Sequence, residues 1–207
     1  FYMLSLGSFQ AELKDVNVTT ESSQDSPLTL GFSASRSFDE KWGYSGSFYF
    51  SILNGATNLR TEELSIPPEF GLTSHLSYKR TNWPVEIYSG LDIERFSSFN
   101  TAEFNQGEPL STREHLLTYL TLGVSKTFSW WSKRFHSKLS LSQSILSSQS
   151  PPSKVNPEEF SGNKILFYLN MQVNENWFAH TLYKQHILDG ATDLSISRFG
   201  IGFGRSF

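Results

Sequence analysis

Cysteine is absent from the 207 residues. A disulfide framework, a thiolate metal site and a cysteine nucleophile are thereby excluded. Charge is sparse. Asp, Glu, Lys and Arg together make up 18% of the chain, against about a quarter in ordinary soluble domains. The formal net charge is −3 and no Lys/Arg cluster stands out, so no nucleic-acid partner is expected. Long apolar runs are lacking as well. Mean hydropathy is −0.33, and no stretch approaches the roughly 18 unbroken apolar residues of a spanning helix. A helical membrane protein is excluded.

What the chain has is aromatic and hydroxyl-rich. It carries 18 Phe, 8 Tyr, 5 Trp and 33 Ser. Such residues without many charges favour strands. The periodicity agrees. Leu28, Leu30, Phe32 and Ala34 alternate with Thr29, Gly31, Ser33 and Ser35. After the polar turn Asp39-Glu40-Lys41, the residues Trp42, Tyr44, Gly46, Phe48, Phe50 and Ile52 alternate with Gly43, Ser45, Ser47, Tyr49 and Ser51. One face is apolar and the other small and polar, as in a strand with unlike surroundings. Apolar faces repeat at Phe70, Leu72, Leu76, Tyr78 and at Val85, Ile87, Leu91, Ile93. Further runs are Leu116–Phe128, Phe135–Ile145, Ile165–Val173 and Phe199–Phe207. Residues 1–13 change phase near Gly7, which predicts a bulge. Residues 177–185 are apolar on both faces.

These segments amount to ten strands, and their connections alternate in length. The short ones are 39–41, 81–84, 129–133 and 174–176. The long ones are 14–27, 54–69, 97–114, 147–163 and 186–193. Short turns at one end and long loops at the other describe an all-β, antiparallel up-and-down transmembrane barrel. No domain boundary interrupts it, so residues 1–207 read as one barrel domain. The chain begins inside a strand, and a secretion signal is expected to have been removed or left out.

A soluble barrel alternates too, with its apolar face inward. The tryptophans decide between the two. Trp42, Trp83, Trp130, Trp131 and Trp177 all lie at the short turns, the pattern of a membrane-interface belt. Phe38, Tyr78, Phe128, Phe135 and Phe207 reinforce that rim, and Phe50, Phe70, Phe96 and Phe160 are expected to form the opposite girdle. The polar face is rich in Ser, Gly and Thr, which suits a narrow interior.

The chain ends on Phe207, with Phe203, Ile201 and Phe199 on the same face. This resembles the C-terminal strand of bacterial outer-membrane β-barrel proteins, departing from it at Arg205, where an apolar residue is usual. The resemblance implies that these residues are an assembly signal read by the barrel-assembly machinery. It also implies a place in the bacterial outer membrane among lipid and lipopolysaccharide, with both termini periplasmic.

Barrels of eight strands are filled by side chains, and those of sixteen hold an aqueous channel, so ten lies nearer to filled. The parity of each strand turns His75, Lys79, Glu86, Asp92, Glu94, His136, Lys138 and Lys164 towards the lumen. Charges in so tight a space must be paired, which predicts an internal ion-pair network. A thin polar pathway for small solutes is the alternative. Enzymatic patterns are weak. Omptin proteases are ten-stranded barrels, and Asp92, Glu94 and His186 lie towards the long-loop end, but the Asp-x-Asp and Asp-x-His pairs of that family are missing. His75 and Ser77 have the spacing of a lipid A deacylase pair, which a chain so rich in serine shows by chance. The five His, at 75, 115, 136, 180 and 186, offer no i,i+2 pair, so neither a metal nor another cofactor is expected. The expected role is therefore non-enzymatic: a barrel acting through its outer loops or anchoring an envelope complex with a surface or envelope protein partner.

Overall fold

The computed structural model describes residues 2–15, 21–57, 60–100, 107, 109–150, 161–189 and 193–207. Among these, eleven strands run in chain order: β1 (Tyr2–Asp15), β2 (Glu21–Ser37), β3 (Trp42–Thr57), β4 (Arg60–Ser65), β5 (Glu69–Tyr78), β6 (Glu86–Phe99), β7 (Thr112–Trp130), β8 (Lys133–Ser150), β9 (Ser161–Gln172), β10 (Trp177–Asp189) and β11 (Leu194–Ser206). Ten of them pair antiparallel in chain order, β3 passing over β4 to β5, and β1 pairs with β11 to close the ring. The eleventh, β4, pairs only with the far end of β3, outside the ring.

Closure sets the two faces apart. On β7, Leu116, Leu120, Leu122 and Val124 point outward, while Leu117, Tyr119 and Thr121 between them are fully buried. Leu122 is 61% exposed and its neighbour Thr121 is 0% exposed. The same inversion recurs around the ring at Leu30, Phe32, Leu72, Leu91, Leu139, Leu141, Phe199 and Ile201, all exposed. A continuous apolar band of this extent is unstable in water and suits hydrocarbon, where only a closed ladder leaves no backbone group unpaired.

Local chemistry sets the bends. The ladder between β1 and β2 slips between Gly7 and Phe9, at the phase change read from the sequence. A second slip, in the β2–β3 pairing, spans Asp25 to Leu28 and encloses Pro27, which has no N–H to donate. At the short turn after β2, the Asp39 carboxylate accepts the Lys41 and Trp42 amides at 2.7 Å each, which holds that carboxyl below its usual range. Asn174 caps the turn before β10 in the same way, accepting the Asn176 and Trp177 amides at 3.0 Å. The β7–β8 turn has only two residues, Trp131 at φ 47° and Ser132 at φ 59°. A two-residue hairpin of that hand fits the twist of the sheet but requires positive φ, which glycine and asparagine adopt at little cost and tryptophan does not.

Two expectations need correction. The strands reach well into the segments expected as long loops: β1 continues to Asp15, β2 starts at Glu21, β8 continues to Ser150 and β10 to Asp189. Period-2 hydropathy marks only the lipid-facing part of a strand, whereas the ladder continues wherever the backbone can pair. Phe96 does not belong to an outer girdle. It lies inside with 0% exposure, on the same parity of β6 as Asp92 and Glu94. Phe50 and Phe70 are half-buried partners across the β3–β5 pairing, and Phe160 lies outside the described residues.

Candidate functional site: the lumen

The interior is layered. Furthest from the short turns, Ala11, Leu13, Phe96, Leu117, Tyr119, Leu188, Leu194 and Ile196 pack into one apolar cluster, with Phe9 against it. A second apolar cluster joins Leu53, Ile66 and Phe99. Adjoining the first lies a band of charge. Three carboxylates, Glu69, Asp92 and Glu94, face three cations, Lys164, Lys184 and Arg198, and none of the six is more than 3% exposed. The charges cancel, which buried ions require.

The pairing is dense. Lys164 Nζ donates to Asp92 Oδ2 at 2.6 Å and to Glu94 Oε1 at 2.7 Å. Lys184 Nζ donates to Glu94 Oε2 at 2.6 Å and to Tyr49 Oη at 2.8 Å, and lies 3.8 Å from Glu69. Tyr49 in turn donates to Glu69 at 2.7 Å, and Arg198 binds the same Glu69 oxygen. His186 Nε2 stands 3.3 Å from Glu94, with its Nδ1 2.8 Å from Tyr119 Oη. His75 meets Asp92 Oδ1 at 2.6 Å, and Thr121 donates to Oδ2 at 2.7 Å. Two aromatic rings gain their places from missing side chains opposite. A Cβ at Gly71 would lie 2.1 Å from the Tyr49 ring, and one at Gly123 would lie 2.4 Å from Tyr88. The three carboxylates and three cations are thus tied to one another across the barrel, while Glu69 Oε2 and Arg198 Nε and Nη2 are buried without a hydrogen-bond partner among the described residues.

Towards the short turns the lumen opens into a cavity of about 780 Å³. Ser33, Ser45, Ser47, Thr73, Ser77, Ser125 and Thr127 line it, with Glu86, His136, Lys138 and Asn170 among them.

The sequence reading placed eight ionisable residues inside. His75, Asp92, Glu94 and Lys164 stand in the buried network, and Glu86, His136 and Lys138 face the cavity. Lys79 stands elsewhere: β5 ends at Tyr78, and Lys79 lies past that end, exposed, its amide bonded to the Lys41 carbonyl. Parity ceases to orient a side chain where the strand stops. The five tryptophans lie at the short-turn rim, from 37% exposed at Trp83 to 80% at Trp131. Phe199, Ile201, Phe203 and Phe207 share the outer face of the closing strand, 48–67% exposed.

No protein-family model and no curated protein matches the sequence. Solved structures do. The β-domain of the Bordetella autotransporter BrkA is covered to 99% by the whole of this chain, at 9% identity and a TM-score of 0.54. The outer-membrane protease OmpT of Escherichia coli is covered to 95%, at 8% identity and a TM-score of 0.56. The translocator domain of the autotransporter NalP of Neisseria meningitidis is covered to 88%, at 8% identity and a TM-score of 0.50. The fold is that of a bacterial outer-membrane β-barrel. At such identities the likeness concerns backbone alone, and the lumen of this outer-membrane barrel has to be read from its own residues.

Three members of the network escaped the sequence reading. Glu69 falls at the end of a long connection by hydropathy, Lys184 sits on the strand that is apolar on both faces, and Arg198 is a single charge beside the apolar outward run of Phe199 and Ile201. Parity was the available signal: Glu69 shares its face with His75, Lys184 with His186, and Arg198 with Ile196.

Proposed function

We propose that this chain is a non-conducting, non-enzymatic protein of the bacterial outer membrane that acts at the rim opposite its short turns. It contacts a surface or envelope partner through its longest connections, read from the sequence at 54–69, 97–114 and 147–163. The observation that supports this is the doubly sealed lumen, in which the balanced ion network adjoins an apolar cluster around Phe96 and Leu117. Packing of this kind at that level of the lumen supports a non-conducting reading, and a rigid closed scaffold is suited to presenting loops. In this reading the tryptophan rim and both chain ends face the periplasm, and the outer face of β11, from Phe199 to Phe207, is what the barrel-assembly machinery reads. Lipid and lipopolysaccharide surround the band.

The test has two arms. Purified barrel in planar bilayers should give no unitary conductance steps, and steady openings would overturn the sealed-lumen reading. Replacing 58–59, 101–108 and 151–160, within those three connections, by Asn-Gly turns should leave a heat-modifiable barrel that no longer recovers its partner from detergent-solubilised envelopes. Retained recovery would move the contact to the wall or the short turns and favour the anchor role.

A further inference from the structure

The cavity at the short-turn end differs from the ion network in one respect that points to a ligand. In the network every carboxylate touches a cation. In the cavity a carboxylate and an ammonium face the same space without touching. Glu86 on β6, Ser125 on β7 and Lys138 on β8 are successive partners in one cross-strand row. Two strand spacings, about 10 Å, therefore separate their backbones along the wall. Among the described residues Glu86 accepts only the Ser125 hydroxyl, at 3.4 Å. Lys138 makes no hydrogen bond or ion pair among the described residues, and its ammonium stands 5.6 Å from the centre of the Tyr88 ring. Serine and threonine hydroxyls recur around the wall, Arg36, Arg134 and Glu175 also line it, and His136, whose Nδ1 is 3.1 Å from Thr127 Oγ1, lies next to Lys138 on the same face.

We infer that this cavity is a binding site for a small zwitterion, an amino acid or short peptide, whose carboxylate meets Lys138 and whose ammonium meets Glu86. Three observations lead there. A volume of about 780 Å³ lies within the range of small-molecule pockets. An acid and a base that face one space without pairing are complementary to a ligand with opposite charges at its two ends. The Tyr88 face beside the ammonium and the hydroxyl rows orient a peptide unit without demanding one side chain. The ligand enters from the short-turn end, because the other end is closed by the ion network and the apolar cluster.

The probe is glycylglycine, titrated calorimetrically into the full chain folded in detergent micelles. N-acetylglycine and glycinamide, each lacking one charge, are the comparison. Saturable binding of glycylglycine is expected, with both blocked compounds weaker by at least about tenfold, as loss of a charged hydrogen bond implies. Lys138→Met and Glu86→Gln should each lower glycylglycine affinity by a similar factor while keeping heat-modifiable mobility. The exchange of the two charges, Glu86→Lys with Lys138→Glu, should restore binding, since a zwitterion can turn round. The inference fails if glycylglycine does not saturate, if a blocked compound binds as well, or if the folded single variants bind like the parent. It also fails if the folded charge-exchanged barrel does not recover affinity.

Discussion

Glu94 is where the ion network can be tested most sharply. It accepts Lys164 at 2.7 Å and Lys184 at 2.6 Å, and it is 2% exposed. Glu94→Gln leaves two carboxylates against three cations. Lys164 keeps Asp92 at 2.6 Å, whereas Lys184 is left with Glu69 at 3.8 Å, so the uncompensated charge falls on Lys184. Breaking a buried pair by removing one partner costs about 3–5 kcal/mol, because the remaining ion stays desolvated. Adding Lys184→Met returns the count to two against two. The double variant should therefore be less destabilised than the sum of the single ones, by roughly 2–3 kcal/mol, at the upper end of measured couplings between contacting residues. Urea unfolding in phospholipid vesicles, followed by tryptophan emission, measures all four corners of the cycle. Raising salt from about 0.1 to 1 M should leave the coupling almost unchanged, since buried charges are poorly screened. A cost for Glu94→Gln below about 1 kcal/mol, or additive single variants, would refute a tightly coupled, dry network.

The register predicts opposite responses from neighbours: Leu122→Arg should cost about 2–4 kcal/mol at a lipid-facing site, while Thr121→Arg is limited by crowding against Asp92 and Ser142. Equal insertion defects, or a reversed order, would put the faces the wrong way round. At the β7–β8 turn, Trp131→Asn with Ser132→Gly relieves two residues of positive φ and should raise stability by about 1–2 kcal/mol, read as a higher urea midpoint. An unchanged midpoint would show that the indole's contact with the interface offsets the strain. The tryptophan rim predicts blue-shifted emission quenched better by lipid brominated near the headgroup than at the chain ends. Stronger quenching from the bilayer centre would displace these residues from the interface.

The membrane-facing half of this protein was legible because its signal is local. Alternation along one strand places Leu122 outside and Thr121 inside without reference to any other segment. Tryptophans beside Asp39 and Asn174 turns mark the rim by the same local logic. The lumen was legible only in part. Parity gave the direction of Asp92, Glu94 and Lys164 but not their partners, since Tyr49 and Lys184 meet across the barrel from positions 135 residues apart. Phe96 was misassigned for the complementary reason, residue type having been allowed to outweigh the parity of its own strand. Strand length was underestimated because outside the hydrocarbon layer a ladder asks for no hydropathy pattern.

The seam between β1 and β11 carries a consequence for the order of folding. Met3 pairs with Ser206, and Tyr2 and Phe207 exchange backbone hydrogen bonds, so the ring is completed by contacts of the longest sequence separation the chain offers. Contacts of that kind form late, because chain entropy is lost before they return any stabilisation. Arg198, on the last strand, is the cation that Glu69 binds across 129 residues. Until β11 docks, the interior holds three carboxylates and two cations, and a sheet lacking its last strand is burdened by an unmatched charge as well as two open edges. Docking of the thirteen-residue β11 thus completes the backbone ladder and the interior charge balance in one step.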